Sequence, residues 1–315
     1  MHTVIWEEEA VKKSILVLIL AVLVIFAAGC GPKKQEKTGP FAVLEDQMGR
    51  KVVINKLPQR IISLSPGNTE IAFSIGLEQR IVGVTDFCNY PAEALKKEKV
   101  GGFAKPNLEA IIALKPDLVL AGNMHDTTIK KLEEMGIAAL ILSPASLEEV
   151  YASMKLVGAA TGNEEAAAKV VAGMQGRIQK VQEKLAAIPA QKRVRVYYEV
   201  YSKPLMSAGG LSLINEVLLL AGGKNIFADV LEKHPKISDE AVVERDPQYI
   251  FFPKMHGSEE IKGDFFAQRP VWKKITAVKE EKVFGVESDA ISRPGPRLIN
   301  AVEEVAILLY PDCFK

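Results

Sequence analysis

The chain is short of the residues that reactive sites draw on. It holds 3 cysteines and 4 histidines in 315 residues. Neither number allows a cysteine framework or a dense cluster of soft metal ligands. No GxSxG, HExxH, P-loop or GxGxxG motif stands in a strand–turn–helix context. An extracytoplasmic metal-dependent hydrolase would need a clustered carboxylate/histidine site, and none can be assembled here, so the chain is read as a non-enzyme with no resident cofactor or metal. Charge of one sign is also missing. The formal net charge is +1, which argues against nucleic acid as a partner. Gly and Pro are scattered rather than clustered, so no long low-complexity segment is expected. Unbroken apolar runs are short too. The longest N-terminal one, Ile15 to Ala28, falls below the roughly 20 residues of a spanning helix.

What is present begins with that run. Lys12 and Lys13 precede it and Ala27-Ala28-Gly29-Cys30 ends it, the layout of an export signal. A cysteine directly after small residues resembles a bacterial lipoprotein signal, in which Cys30 is acylated and becomes the new N-terminus. Residues 1–29 are then the signal, and the rest is expected to be exported and anchored by lipid to the outer side of the cell membrane. Glu7, Glu8 and Glu9 place acid where a signal carries base, so translation is expected to start at Val11. With Cys30 acylated, Cys88 and Cys313 remain, and their spacing does not decide between a disulfide and two thiols.

Residues 30–40 are rich in Gly, Pro and Lys and suit a flexible tether. Beyond them, 41–54 alternates around Met48-Gly49 as a hairpin. Short apolar strands are expected at 60–64, 80–84, 118–121 and 138–142, with helices at 69–75 and 131–135. From 147 to 188 no proline occurs and apolar residues recur at helical spacing, a run that Gly158, Gly162 and Asn163 are placed to divide. Strands at 194–198, 249–252 and 282–286 follow, with helices at 212–220 and 298–309. Strands alternating with helices indicate largely parallel sheets covered on both faces. The fold class is α/β: two similar lobes, 41–147 and 190–315, joined by a long helix over 148–189.

Two stretches match at an offset of 131 residues, EAIIALKPDLVLAGNMH at 109–125 and EAVVERDPQYIFFPKMH at 240–256. Each reads as a helix, a proline turn, a buried strand and a His-bearing loop. Ligands of open α/β sheets sit beyond the carboxyl ends of strands, so His125 and His256 are expected on opposite walls of one cleft, or else as two surface-loop histidines. Phe87, Tyr90, Phe103, Tyr201 and Met206 also follow strands. As a set they would wall a large, flat, partly apolar ligand. Glu70 and Glu216 each lie on the helix after their lobe's first strand. They read as helix-start acids or as a pair of exposed acids, one per lobe, offered to a basic partner.

RIISLSPGNTEIAFSIGL, LEAIIALKPDLVLA and AGGKNIF together resemble the periplasmic binding proteins of the vitamin B12, haem and ferric-siderophore ABC importers. The resemblance implies two α/β lobes joined by one long helix, in the manner of the class III periplasmic binding proteins. A ligand would be held between the lobes of a monomer. It also implies that one Glu of each lobe pairs with Arg of the permease dimer, and Glu70 and Glu216 match those places. The order CNYP, GGF, PLMSAGG and SRPGPR is most similar to the cobalamin branch. That similarity puts Tyr90, Phe103, Met206, His234 and Asp289 in ligand-contacting loops. His234 and Met206 stand where that branch carries aromatics, which leaves room for haem, with a His as its ligand, or for a ferric siderophore favoured by Arg293 and Arg297. The function implied is capture of a corrinoid and its delivery to the permease.

Overall fold

The computed structural model describes residues 39–254 and 264–315. The signal, Cys30, most of the tether and His256 lie outside these residues. The unit Phe41–Lys315 opens with an antiparallel hairpin, β1 (Ala42–Glu45) and β2 (Lys51–Ile54), turned at Gly49, whose φ of 73° suits glycine. Arg50 seats it on the first lobe, donating to Asp46, Glu133 and the carbonyl of Ala139 at 2.8–2.9 Å.

The first sheet is wholly parallel. Its strands are β3 (Ile61–Ser63), β4 (Ile81–Val84), β5 (Glu98–Lys99), β6 (Leu118–Ala121) and β7 (Ala138–Ile141), in the order β5-β4-β3-β6-β7. Helices α1 (Pro66–Ser74), α2 (Leu108–Ala113) and α3 (Asp126–Glu134) connect them. α1 starts three residues earlier than the sequence suggests, because Ser65 caps it and Pro66 fills the first turn, where no amide donor is needed.

The connecting run over 148–189, which Gly158, Gly162 and Asn163 are placed to divide, is two helices, α4 (Leu147–Thr161) and α5 (Glu164–Leu185). Gly162 ends α4 in the left-handed region at φ 70°. The Asn163 side chain donates to the carbonyl of Ile75. The helices then cross closely: a Cβ on Gly158 would lie 2.8 Å from that of Ala167. α5 alone has 22 residues, a length of about 33 Å.

The second sheet has strands β8 (Arg195–Ser202), β9 (Leu205–Ser207), β10 (Lys224–Asn225), β11 (Tyr249–Lys254) and β12 (Val283–Glu287), in the parallel order β10-β8-β11-β12, with β9 antiparallel on β8. Helices α6 (Leu213–Leu220), α7 (Asp239–Arg245), α8 (Ser288–Ser292) and α9 (Leu298–Leu309) cover it. The series β3-β6-β7 thus has its counterpart in β8-β11-β12. The offset of 131 persists in detail. Asn107 caps α2 and Ser238 caps α7, each accepting from the amide three residues on. Lys115 and Asp246 take the same left-handed turn, at φ 46° and 38°, before Pro116 and Pro247.

Burial follows the two-residue period of the strands. Ile61, Leu118, Leu120, Val196, Tyr198 and Phe251 face one continuous core that runs through α4 and α5 from lobe to lobe. Ile62, Val119 and Ala121 face a separate core in the first lobe. Tyr197, Ile250 and Phe252 do so in the second, around Trp272 and Phe266.

Candidate functional site

The carboxyl ends of β3, β4, β6 and β7 open into loops that meet the α8–α9 segment of the second lobe. Between them lies a cavity of about 410 Å³, walled by Phe87, Phe103, Met124, Leu142 and Pro144 from the first lobe and by Ser292, Arg293 and Pro294 from the second. A smaller one, about 160 Å³, shares Pro144, Ser292 and Pro294 with it and extends along Ala145, Leu211, Lys233 and His234. The two adjoin at Pro144, Ser292 and Pro294 and together are termed the cleft. Gly67 permits the approach of the lobes there: a Cβ at that position would lie 2.8 Å from the carbonyl oxygen of Pro294.

A buried ionic clasp closes one side of the cleft. Glu70, on α1, has a side chain with 0% exposure. Arg297, at the start of α9, grips it with two parallel bonds, Nε to Oε2 at 2.8 Å and Nη2 to Oε1 at 2.7 Å. Arg293 adds a longer 3.4 Å contact. It also pairs with Asp289 at 2.8 Å and donates to the Asn89 side chain at 2.6 Å, while Asn89 donates to Asp289. Burial works against the charge of Arg297, but the hydrogen bonds it donates to Glu70 and the nearby acids outweigh it and raise its pKa. The guanidinium lies 4.1 Å from the Tyr90 ring centre, a cation–π contact.

Several of the expected site residues are engaged within the protein itself. Glu70 is no exposed acid; it is sealed between two arginines of the other lobe. Glu216 is half-buried and accepts from the amide of Leu147 at 2.7 Å, so it caps the start of α4. His125 is buried and lies behind the cavity wall. Its Nδ1 accepts from the Gly122 amide at 2.9 Å, which leaves Nε2 protonated and donating to the carbonyl of Phe103 at 2.7 Å. The ring therefore fastens two strand-end loops together, with Phe103 edge-on at 5.9 Å. Tyr90 gives one face to Arg297. Asp289 serves the clasp. Tyr201 and Met206, paired across β8 and β9, line neither cavity.

Phe87, Phe103, His234 and Arg293 do reach the cleft. Met124, 52% exposed, does so as well, although the motif points to its neighbour His125. In the Met-His pair the Met faces the ligand side and the His turns inward. His234 stands at the rim, where burial and then Lys233 lower its pKa. Cys88 and Cys313 are free thiols, Cys88 buried between Thr69 and Thr85, each hydroxyl 3.2 Å away. Among the described residues no group of three or more metal-ligating side chains occurs.

Comparison with known proteins matches residues 61–290 to the periplasmic binding protein family. An uncharacterized ABC transporter substrate-binding lipoprotein, YvrC of Bacillus subtilis, is 37% identical over 95% of this chain and 96% of its own length. The vitamin B12-binding protein BtuF of Vibrio cholerae superposes with a TM-score of 0.70 at 30% identity, covering 82% of this chain and 99% of that one. A possible iron-binding periplasmic protein of Staphylococcus epidermidis gives 0.70 at 31%, covering 81% and 100%. With both the family match and relatives of this extent, the chain belongs to the periplasmic binding protein family.

Proposed function

We propose that this chain is the lipid-anchored capture protein of an ABC importer, that it takes a corrinoid into the cleft between its lobes, and that it presents the ligand to the membrane permease. The anchor rests on the Cys30 motif and on the likeness to a lipoprotein. One observation carries the choice of ligand: the larger cavity is apolar and its arginine, Arg293, is already paired. Phe87, Phe103, Met124 and Pro294 offer faces suited to a flat ring. Arg293 and Arg297 are already matched by Glu70, Asp289 and Glu287. A corrinoid, rimmed by neutral amides, needs no free cation in this cavity, whereas a ferric siderophore or the propionates of haem would have to draw on Lys233 of the smaller one.

The permease contact is assigned to a different pair of acids from the one first expected. Glu109 and Glu240 occupy the same place in the two repeats, in the first turns of α2 and α7, and both are exposed. Each helix must return the chain to the start of a parallel strand, so its first turn lies at the carboxyl edge of its sheet. Each lobe thus offers one exposed carboxylate at the carboxyl edge of its sheet, where a basic partner would meet it.

Titration of the mature protein with cobalamin, cobinamide, ferric haem and a ferric siderophore, followed by absorbance and calorimetry, tests the reading. Saturable corrinoid binding, weakened about tenfold or more by Phe103→Ala, is expected. Binding of haem or siderophore in preference to any corrinoid would overturn it.

A further inference from the structure

We propose that His234 is a metal ligand supplied by the protein, and that its imidazole binds the axial position of the metal at the centre of the captured macrocycle. The inference rests on the corrinoid reading above and goes beyond it, because it names the atom that would hold the metal and sets the orientation of the ring.

The first observation is the state of the histidines. His125 has both ring nitrogens bonded to backbone and has no lone pair to give. His234 lines the smaller cavity and has no hydrogen-bond partner among the described residues. Other polar groups on that wall are engaged. The hydroxyl of Ser212 donates to the carbonyl of Gly209 and accepts from the Asn215 amide, and that of Ser292 donates to the carbonyl of Ser288. Lys233 is a cation and cannot coordinate. Among the described residues on this side of the cleft, His234 is therefore the nitrogen donor left.

The second observation is how firmly its backbone is held. The 228–236 loop lies along the 207–211 segment through bonds from Ser207 to Pro235 at 3.1 Å, Gly209 to Lys233 at 3.0 Å and Leu211 to Glu232 at 3.3 Å. The loop approaches so closely that a Cβ on Gly209 would lie 2.2 Å from the carbonyl oxygen of Glu232. Only glycine fits there. A loop clamped on both sides of His234 fixes the backbone from which its exposed side chain projects, which limits where the imidazole can reach. Pro144, Ala145 and Pro294 also line the cavity, and their side chains offer no rival donor. Burial and the charge of Lys233 disfavour the imidazolium, and that keeps the lone pair available.

Coordination here exchanges one ligand for another. The imidazole nitrogen donates its lone pair to the metal, one metal–water bond breaks, water leaves, and the oxidation state is unchanged. The probe is diaquocobinamide, which has exchangeable water on both axial positions and no nucleotide base of its own. On binding the wild-type protein its visible bands are expected to move to the positions given by free imidazole. With His234→Ala the bands should stay at those of the diaquo form, affinity should fall about tenfold or more, and added imidazole should restore the shifted spectrum. Binding by the wild-type protein with unshifted bands would overturn the inference and leave the corrinoid reading standing. If no corrinoid binds at all, the reading fails and the inference falls with it. The decisive spectrum is that of the wild-type protein, so the result does not depend on the variant folding.

Discussion

Glu70→Gln removes the negative charge at the centre of the clasp while keeping the side chain's shape. Arg297, its side chain 13% exposed, then loses a bidentate partner and keeps only Glu287 at 3.2 Å. Arg293 loses its weak 3.4 Å contact but retains Asp289. Breaking a buried ion pair by removing one partner costs about 3–5 kcal/mol. The remaining acids place Glu70→Gln near the lower limit, about 3 kcal/mol, which for a chain of this size lowers Tm by about 6 °C. Arg297→Met should cost more, toward 5 kcal/mol, because it leaves a wholly buried carboxylate with one long contact. Glu70→Met combined with Arg297→Met should recover most of the loss, since two apolar groups need no partner. The assay is thermal unfolding by circular dichroism at two salt concentrations, and the Tm differences should be nearly independent of salt because the pair is out of reach of counterions. A Tm drop under 2 °C for Glu70→Gln, or losses that simply add in the double variant, would refute the reasoning.

Gly67→Ala should set a methyl against the Pro294 carbonyl, destabilise the fold by about 1–3 kcal/mol and weaken ligand binding, both measurable in one melt series with and without ligand. Glu109→Ala with Glu240→Ala should abolish uptake in cells while leaving affinity in solution unchanged, and a parallel loss of affinity would contradict the docking role. Tyr151, buried first and then facing Glu148 and Glu216, has its pKa raised to about 12. Its folded form therefore holds a proton that the unfolded form gives up near pH 10. The stability this contributes is intact below pH 10 and is lost as pH rises through 12. Comparison of alkaline melts of the wild type and Tyr151→Phe should show that part of the loss missing in the variant.

Much of the architecture was legible because it is written locally. The repeat at offset 131 carries its own caps, Asn107 and Ser238, and its own turn prolines, so two matching helix–strand units follow from short stretches of chain. The break of the connecting run was also local, at Gly162. The site was less legible because its decisive contacts join distant residues. Glu70 looks like an ordinary helix-start acid until the chain brings Arg297, 227 residues on, beside it. Glu216 is spent on the Leu147 amide in the same way. Within the Met-His pair, sequence position names the right loop but not the side chain that faces the cleft. His125 turns inward because two backbone groups await its nitrogens, and no pattern of residue types announces that.

The shared core through α4 and α5 bears on how the chain comes apart. Ile61 in one half and Phe251 in the other belong to one cluster, with Val157, Met174 and Val181 between them. Neither half owns a complete interior. Cut near residue 190, each fragment would expose an apolar face to water, so the repeats cannot be expressed, melted or exchanged as separate pieces. Heating should give a single cooperative transition with no half-folded plateau, and a permease that pries the lobes apart must strain the whole molecule at once.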